Sequence, residues 1–200
     1  MSMVDPYGAM QIMKNEGAYR LGKEVIGAGN WLRLETIRYR DREGKERSWE
    51  AAERSADRQA VMVVARLMPS EKYLLVEQYR PPVDATVLEF PAGLIDDGES
   101  PGEAALRELR EETGYAGRIV HTGPPCVNTP GMTSEAAYVV FVEIDENTPA
   151  NHDAQPDQDD GEEIDVHCIG RDEVSRFLEN RADSGVRIDN KVYCFFTEAW

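Results

Sequence analysis

The 200-residue sequence is poor in cysteine and in long apolar runs. Its cysteines, Cys126, Cys168 and Cys194, lie far apart, are odd in number and form no CxxC pair. They exclude a disulfide framework and a cysteine-rich zinc site, and they suit a reducing compartment. No apolar run approaches the ~20 residues of a membrane-spanning helix, and no positive segment followed by an apolar one marks a signal peptide. These absences predict a cytoplasmic protein without a membrane partner.

Positive charge is also scarce. There are 22 Lys and Arg against 38 Asp and Glu, which gives a formal net charge of −16. This charge repels nucleic acid and anionic lipid, so neither is expected as a partner. The length and the 41% hydrophobic content are typical of one globular domain, with or without an appendage.

The order of apolar runs and turn residues predicts a mixed α/β layered domain. Residues 1–30 are weakly patterned and are expected to form an irregular leader. Residues 31–56 read as a β-hairpin, and residues 57–200 as the main domain, in which strands and helices alternate. Within it, residues 147–161 contain two prolines and many Asp and Asn, and predict a long loop.

The clearest helix is predicted from Ser100 to Thr113. Ser100 and Glu103 form a capping box, and Pro101 stands at the first helical position. Gly114 can adopt the left-handed conformation that ends a helix.

Glu108, Glu111 and Glu112 lie on one side of this helix, because side chains at positions i, i+3 and i+4 are neighbours. These carboxylates repel one another unless a positive charge lies among them, and Arg107 offsets only part of that repulsion. A divalent cation would offset the rest, and ligands that are all oxygen select a hard ion, Mg²⁺ or Mn²⁺. The alternative is the solvated face of an acidic protein.

The residues around the helix form a longer pattern. Gly93 is followed by five residues and Glu99, then by seven residues and the run Arg107-Glu108-Leu109-Arg110-Glu111-Glu112-Thr113-Gly114-Tyr115. This stretch resembles the Nudix box, GX5EX7REUXEEXGU, with every fixed position filled. The resemblance implies the Nudix fold, an α/β/α sandwich around a mixed β-sheet. It also implies Mg²⁺-dependent hydrolysis of a nucleoside diphosphate linked to another group.

Segments outside the box resemble one branch of that family, the ADP-ribose and ADP-sugar pyrophosphatases. These segments are Trp31–Glu35, Arg47–Glu50, Glu77–Pro82, Glu89–Ile95 and Pro130, which stands sixteen residues beyond Gly114. The resemblance covers roughly residues 30–200 and implies a homodimer that hydrolyses ADP-ribose to AMP and ribose 5-phosphate. GDP-mannose, NADH and a flavin dinucleotide remain alternative substrates. A non-catalytic Nudix module is a further alternative, against which the intact glutamates argue.

The resemblance also implies the catalytic and metal-binding residues. The backbone carbonyl of Ala92 and the carboxylates of Glu108 and Glu112 would bind the metal ions, with Glu111 close by. A glutamate on a late loop would orient or deprotonate the attacking water, and Glu162 matches it best. The sequence does not decide whether Glu162, Glu111 or Glu112 accepts the proton.

The substrate contacts are assigned in the same way. Adenine would stack between two tryptophans from different subunits, a glutamate would accept a hydrogen bond from its amino group, and two arginines would bind the diphosphate. The residues that match these positions, together with one further substrate contact at Leu94, are Trp31, Trp49, Glu50, Arg54 and Arg80. Core packing of the tryptophans and surface ion pairs of the arginines are the alternatives.

Overall fold

The computed structural model describes residues 17–56, 58–158, 161 and 163–197. The chain divides into two compact units. The first contains residues 1–57 and 127–135, and the second contains residues 58–126 and 136–200.

The first unit contains a three-stranded antiparallel sheet. Its strands, in sheet order, are β1 (Tyr19–Ala28), β2 (Leu32–Arg40) and β3 (Glu46–Arg54). Strands β2 and β3 pair without interruption from Leu32 opposite Arg54 to Arg40 opposite Glu46. The predicted hairpin is thereby confirmed.

Strand β1 corrects the prediction that residues 1–30 form an irregular leader. Residues 1–16 lie outside the described part, but β1 pairs with β2 along its whole length. The strand has no regular alternation of apolar and polar residues. Its register also shifts between Arg20 and Gly22 and between Val25 and Gly27. Irregularities of this kind interrupt the period of two by which a strand is recognised in a sequence.

The second unit is built on an eight-stranded mixed sheet. Six strands form the path β11-β6-β5-β4-β9-β8, while β10 pairs with β5 and β7 pairs with β4. Strand β4 is parallel to β9 and antiparallel to β7, which makes the sheet mixed. The strands are β4 (Ala60–Met68), β5 (Tyr73–Arg80), β6 (Ala85–Glu89), β7 (Ala92–Leu94), β8 (Arg118–Val127), β9 (Ala136–Asp145), β10 (Ile164–Ile169) and β11 (Arg187–Ile188).

Helices cover both faces of this sheet. They are α1 (Pro101–Thr113), α2 (Val174–Asp183) and α3 (Asn190–Phe196). Alternate residues of β4 point to opposite faces. Val61 and Val63 belong to a buried cluster with Leu109 of α1, whereas Val64 belongs to another with Leu178 of α2. The α/β/α sandwich predicted from the Nudix resemblance is confirmed.

The predicted loop at residues 147–161 is anchored near its beginning. A short 3₁₀ helix covers Pro149–Asn151, and the buried Asn151 side chain accepts a hydrogen bond from the amide of Ala116 at 2.9 Å. The same side chain donates to the carbonyls of Ala116 and Asp145, at 3.0 and 2.9 Å. No helix in the described part of the chain is long and apolar enough to cross a membrane.

The packing of α1 on the sheet predicts a strong effect of truncating Leu109, whose side chain is fully buried. Leu109→Ala should lower the free energy of unfolding by about 2–5 kcal/mol, because it removes apolar contacts and leaves a cavity. Chemical denaturation measures this change. Arg110→Ala, at the next and exposed position, is the control and should change stability by no more than about 0.5 kcal/mol. Equal effects would contradict the packing of this helix face.

Candidate active site

The predicted box occupies β7, the loop that follows it and helix α1. Ser100 caps α1, accepting from the amide of Glu103, whose side chain in turn accepts from the amide of Ser100. Gly114 ends the helix with a φ of 76°, and its amide donates to the carbonyl of Arg110. The predicted capping box and helix end are confirmed.

Gly93 in β7 lies directly against a side chain of helix α1. A side chain at this position would place its Cβ within the carboxylate of Glu108. The absence of a side chain therefore allows the Glu108 carboxylate to lie against the backbone of β7. This contact explains on steric grounds why the first position of the box is a glycine.

Arg107 links the loop to the helix glutamates. Its Nε and Nη2 donate to the two carboxylate oxygens of Glu99 at 3.0 and 2.9 Å, and Nη2 also donates to the carbonyl of Leu94 at 2.9 Å. Its Nη1 donates to Glu108 at 2.8 Å and to Glu111 at 3.0 Å. Hydrogen bonds from Arg107 hold the pKa of Glu99 below its ordinary value, and those to Glu99 raise the pKa of Arg107 further. One guanidinium thus restrains three carboxylates.

Glu112 is almost fully buried and contacts the same strand. One of its carboxylate oxygens accepts a hydrogen bond from the amide of Ala92 at 3.2 Å. The structure therefore brings Glu108 and Glu112 to the Ala92–Gly93 backbone, and Arg107 joins Glu111 to them.

The atoms at this site that could bind a metal ion are carboxylate and carbonyl oxygens, whose chemistry suits Mg²⁺ or Mn²⁺. Among the described side chains, however, no three His, Cys, Asp or Glu residues are grouped as ligands of one ion. Glu108 and Glu111 instead contact Arg107. The assignment of Ala92, Glu108, Glu111 and Glu112 to a metal site stays a prediction. Glu162 lies outside the described residues.

The predicted adenine-binding residues belong to the first unit. Trp31 is 82% exposed and Trp49 is 53% exposed, so neither packs into the core of this chain. The indole Nε1 of Trp49 donates to the carbonyl of Gly131 at 2.9 Å, which orients the ring. Trp49 also lines a cavity of about 280 Å³, whose other walls include Met132. Glu50 follows Trp49 on β3 and is exposed.

Both predicted diphosphate-binding arginines form ion pairs. In the first unit, Nε of Arg54 donates to Glu135 at 2.5 Å, and in the second unit Nε of Arg80 donates to Glu89 at 2.7 Å. Their role in binding a substrate therefore stays a prediction, as does that of Leu94.

Sequence reasoning missed the role of residues 127–135, from which only Pro130 was singled out. This segment binds strand β3 within the first unit. The amide of Ala52 donates to the carbonyl of Met132 at 2.9 Å, and Glu53 accepts from the amide and the hydroxyl of Ser134 at 3.0 and 2.6 Å. No local pattern signals such contacts, since the partners are about 80 residues apart.

The family model for the NUDIX domain matches residues 56–188. The chain belongs to the Nudix family, and the prediction of a Nudix hydrolase is confirmed.

Individual relatives extend this similarity over most of the chain. This chain is 38% identical to the ADP-sugar pyrophosphatase of Mus musculus over 181 residues, and the alignment covers 86% of this chain and 83% of the relative. It is also 36% identical to the ADP-ribose pyrophosphatase of Saccharomyces cerevisiae over 171 residues, and that alignment covers 82% of this chain and 71% of the relative. A crystal structure of an ADP compounds hydrolase superposes with a TM-score of 0.62 at 24% identity, covering 82% of this chain and 83% of that one, and supports the fold.

The Arg107–Glu99 pair predicts a dependence of stability on pH. The pKa of Glu99 is lowered in the folded state, so the pair stabilises the protein above the ordinary glutamate pKa of about 4.3. This contribution is lost as the pH falls through the lowered pKa. Glu99→Gln should reduce the free energy of unfolding at neutral pH by about 1–2 kcal/mol and make the decline in acid shallower.

Denaturant unfolding at a series of pH values measures both effects. Glu43→Gln is the control, because Glu43 forms an exposed pair with Lys45 and should contribute less than about 1 kcal/mol. Parallel pH profiles for Glu99→Gln and the unaltered protein would contradict the prediction.

Proposed function

We propose that this protein hydrolyses the pyrophosphate bond of ADP-ribose and related ADP-sugars, giving AMP and ribose 5-phosphate from ADP-ribose. The observation that carries this proposal is the convergence of Glu108 and Glu112 on the backbone of Ala92 and Gly93. The relatives named as ADP-sugar and ADP-ribose pyrophosphatases support it, because the similarity to each covers more than four fifths of this chain.

The residues proposed to hold Mg²⁺, or Mn²⁺ in its place, are Ala92 through its carbonyl and Glu108, Glu111 and Glu112 through their carboxylates. When bound, the metal would neutralise charge on the diphosphate and lower the pKa of a coordinated water. Arg107 restrains Glu108 and Glu111 by hydrogen bonds from one terminal nitrogen. It thereby reduces the conformational entropy that these side chains would lose on binding the metal ion.

The proton of the attacking water needs an acceptor. We assign this role to Glu162, with Glu111 and Glu112 as alternatives. Phosphoryl transfer depends mainly on positioning and on stabilisation of charge, so a carboxylate that orients the water is sufficient. Gln158 contacts the first residue of β10, since its side-chain amide exchanges hydrogen bonds with the backbone of Ile164 at 2.9 and 3.2 Å.

The substrate contacts are proposed as follows. Trp31 and Trp49 stack on adenine, one from each subunit of a homodimer, and Glu50 accepts a hydrogen bond from its amino group. Their high exposure in the single chain supports this arrangement, since it leaves the rings free to stack on a base. Arg54 and Arg80 would bind the diphosphate, which a chain of net charge −16 would otherwise repel. Leu94 completes the proposed contacts.

The further apolar side chains exposed on β1 and β2 also support a homodimer. They are Leu21, Val25, Ile26, Leu32 and Leu34. Several apolar side chains exposed on one sheet are a feature of protein–protein interfaces.

Product analysis over a panel of nucleotide derivatives tests the function. With Mg²⁺, ADP-ribose should be hydrolysed to AMP and ribose 5-phosphate, and its hydrolysis should be faster than that of GDP-mannose, NADH or a flavin dinucleotide. A chelator should abolish the reaction. Preference for another member of the panel would replace the proposed substrate.

Glu112→Gln is the matched variant. The glutamine carbonyl can still accept from the amide of Ala92, so the fold should persist, as circular dichroism would check. Turnover should fall by two or more orders of magnitude, because a neutral amide binds Mg²⁺ less tightly than the carboxylate proposed to hold the ion, and the ion stabilises the developing charge. Full activity in the variant would refute the site.

Stacking predicts a specific effect at Trp49. Trp49→Ala should raise KM for ADP-ribose about tenfold or more, because stacking on an aromatic ring contributes ~1–3 kcal/mol per base. Steady-state kinetics measure this rise. Trp49→Phe keeps a ring but loses the hydrogen bond to Gly131, and should raise KM less. An unchanged KM in Trp49→Ala would remove Trp49 from the adenine site.

A further inference from the structure

Arg54 at the end of β3 is held by a glutamate that is distant in sequence. Its Nε donates to Oε2 of Glu135 at 2.5 Å across a separation of 81 residues. The other carboxylate oxygen of Glu135 accepts from Nδ2 of Asn128 at 3.3 Å. Only 22% of the Glu135 side chain is exposed, against 41% for Arg54. Glu135 is therefore restrained by two partners within the first unit and can restrain Arg54 in turn.

This ion pair uses one edge of the guanidinium. Considering the described residues alone, the side chain of Arg54 donates through Nε to Glu135 and makes no further hydrogen bond. The N–H groups of its two terminal nitrogens are therefore left for another acceptor. A phosphate or diphosphate matches them, because its oxygens accept parallel N–H···O bonds from a guanidinium.

Arg80 in the second unit has the same arrangement. Its Nε donates to Oε2 of Glu89 at 2.7 Å, and the exposed fractions are 41% for Arg80 and 19% for Glu89. Both arginines assigned to the diphosphate thus donate Nε to a glutamate that is less exposed than the arginine itself.

We propose that Glu135 is a positioning residue for Arg54, which it orients so that the terminal nitrogens bind the diphosphate of ADP-ribose. This inference rests on the proposed function and on the place of Arg54 in it. Arginine has a long side chain, and ordering it on binding opposes affinity. A glutamate that orders the side chain before the substrate arrives removes part of that penalty.

The charge of Glu135 acts in the opposite direction, because a carboxylate near the site repels the diphosphate. Solvent and salt screen this repulsion, since the pair lies partly in water. The loss of orientation should therefore outweigh the relief of repulsion when Glu135 is truncated. Glutamine separates the two effects, since its amide oxygen can accept from Nε but carries no charge.

The test compares Glu135→Ala, Glu135→Gln and Glu135→Asp in the full chain, with ADP-ribose and Mg²⁺. Glu135→Ala should raise KM about three- to tenfold with kcat changed less than about twofold. Glu135→Gln should keep KM within about twofold of the unaltered protein, or lower it. Glu135→Asp keeps the charge, but its side chain is too short for the same contact, so it should raise KM as Glu135→Ala does. This variant keeps the test possible if Glu135→Ala folds poorly.

Glu46→Ala is the matched control. It removes one carboxylate from an exposed ion pair with Arg40 at the start of the same strand, and it should leave KM unchanged. A double-mutant cycle shows whether Glu135 acts through Arg54. In an Arg54→Ala background, adding Glu135→Ala should change KM by less than about twofold.

Additive effects in the cycle, a lower KM in Glu135→Ala, or equal increases in the alanine and glutamine variants would each overturn the positioning role. If the unaltered protein hydrolyses ADP-ribose and Glu135→Ala behaves like it, this inference alone fails. If the unaltered protein does not hydrolyse ADP-ribose with Mg²⁺, the proposed function fails, and the role of Glu135 fails with it.

Discussion

Repulsion among the carboxylates of helix α1 is the physical constraint on which the site depends. Glu108, Glu111 and Glu112 lie on one side of a helix in a chain whose net charge is −16. Arg107 offsets this repulsion by donating to Glu108 and Glu111, while two further hydrogen bonds to Glu99 hold it in place. Arg107 therefore restrains Glu99, Glu108 and Glu111, and restrained charged groups favour electrostatic stabilisation.

The sheet of the second unit supplies the other half of the site. Strand β4 presents alternate residues to the two buried clusters, so the sheet is clamped between α1 on one face and α2 and α3 on the other. Strand β7 pairs with β4, which places Ala92 and Gly93 where α1 approaches the sheet. Because Gly93 lacks a side chain, Glu108 can lie against this strand. The packing of the helix and the position of the Glu108 carboxylate thus depend on the same contact.

Under the proposed function, the arginines assigned to the substrate would prepare an acidic protein for an anionic ligand. Arg54 and Arg80 each donate Nε to a glutamate, and 41% of each arginine side chain stays exposed. Such a pair has little net charge, so it contributes less to long-range attraction than a free arginine. Its proposed contribution is geometric, since it would present the terminal nitrogens in a defined orientation. On this proposal, orientation matters more than the number of positive charges.

The box, the ends of helix α1 and the hairpin of β2 and β3 could all be predicted, because their signals are local: capping residues, spacing and turn residues. Only the tertiary structure revealed strand β1, whose register shifts hide its period, and the ion pair of Arg54 with Glu135. The contact between Gly93 and Glu108 also belongs to the tertiary structure. Such contacts join residues that are separated along the chain, and no local pattern in a single sequence marks these residues as partners.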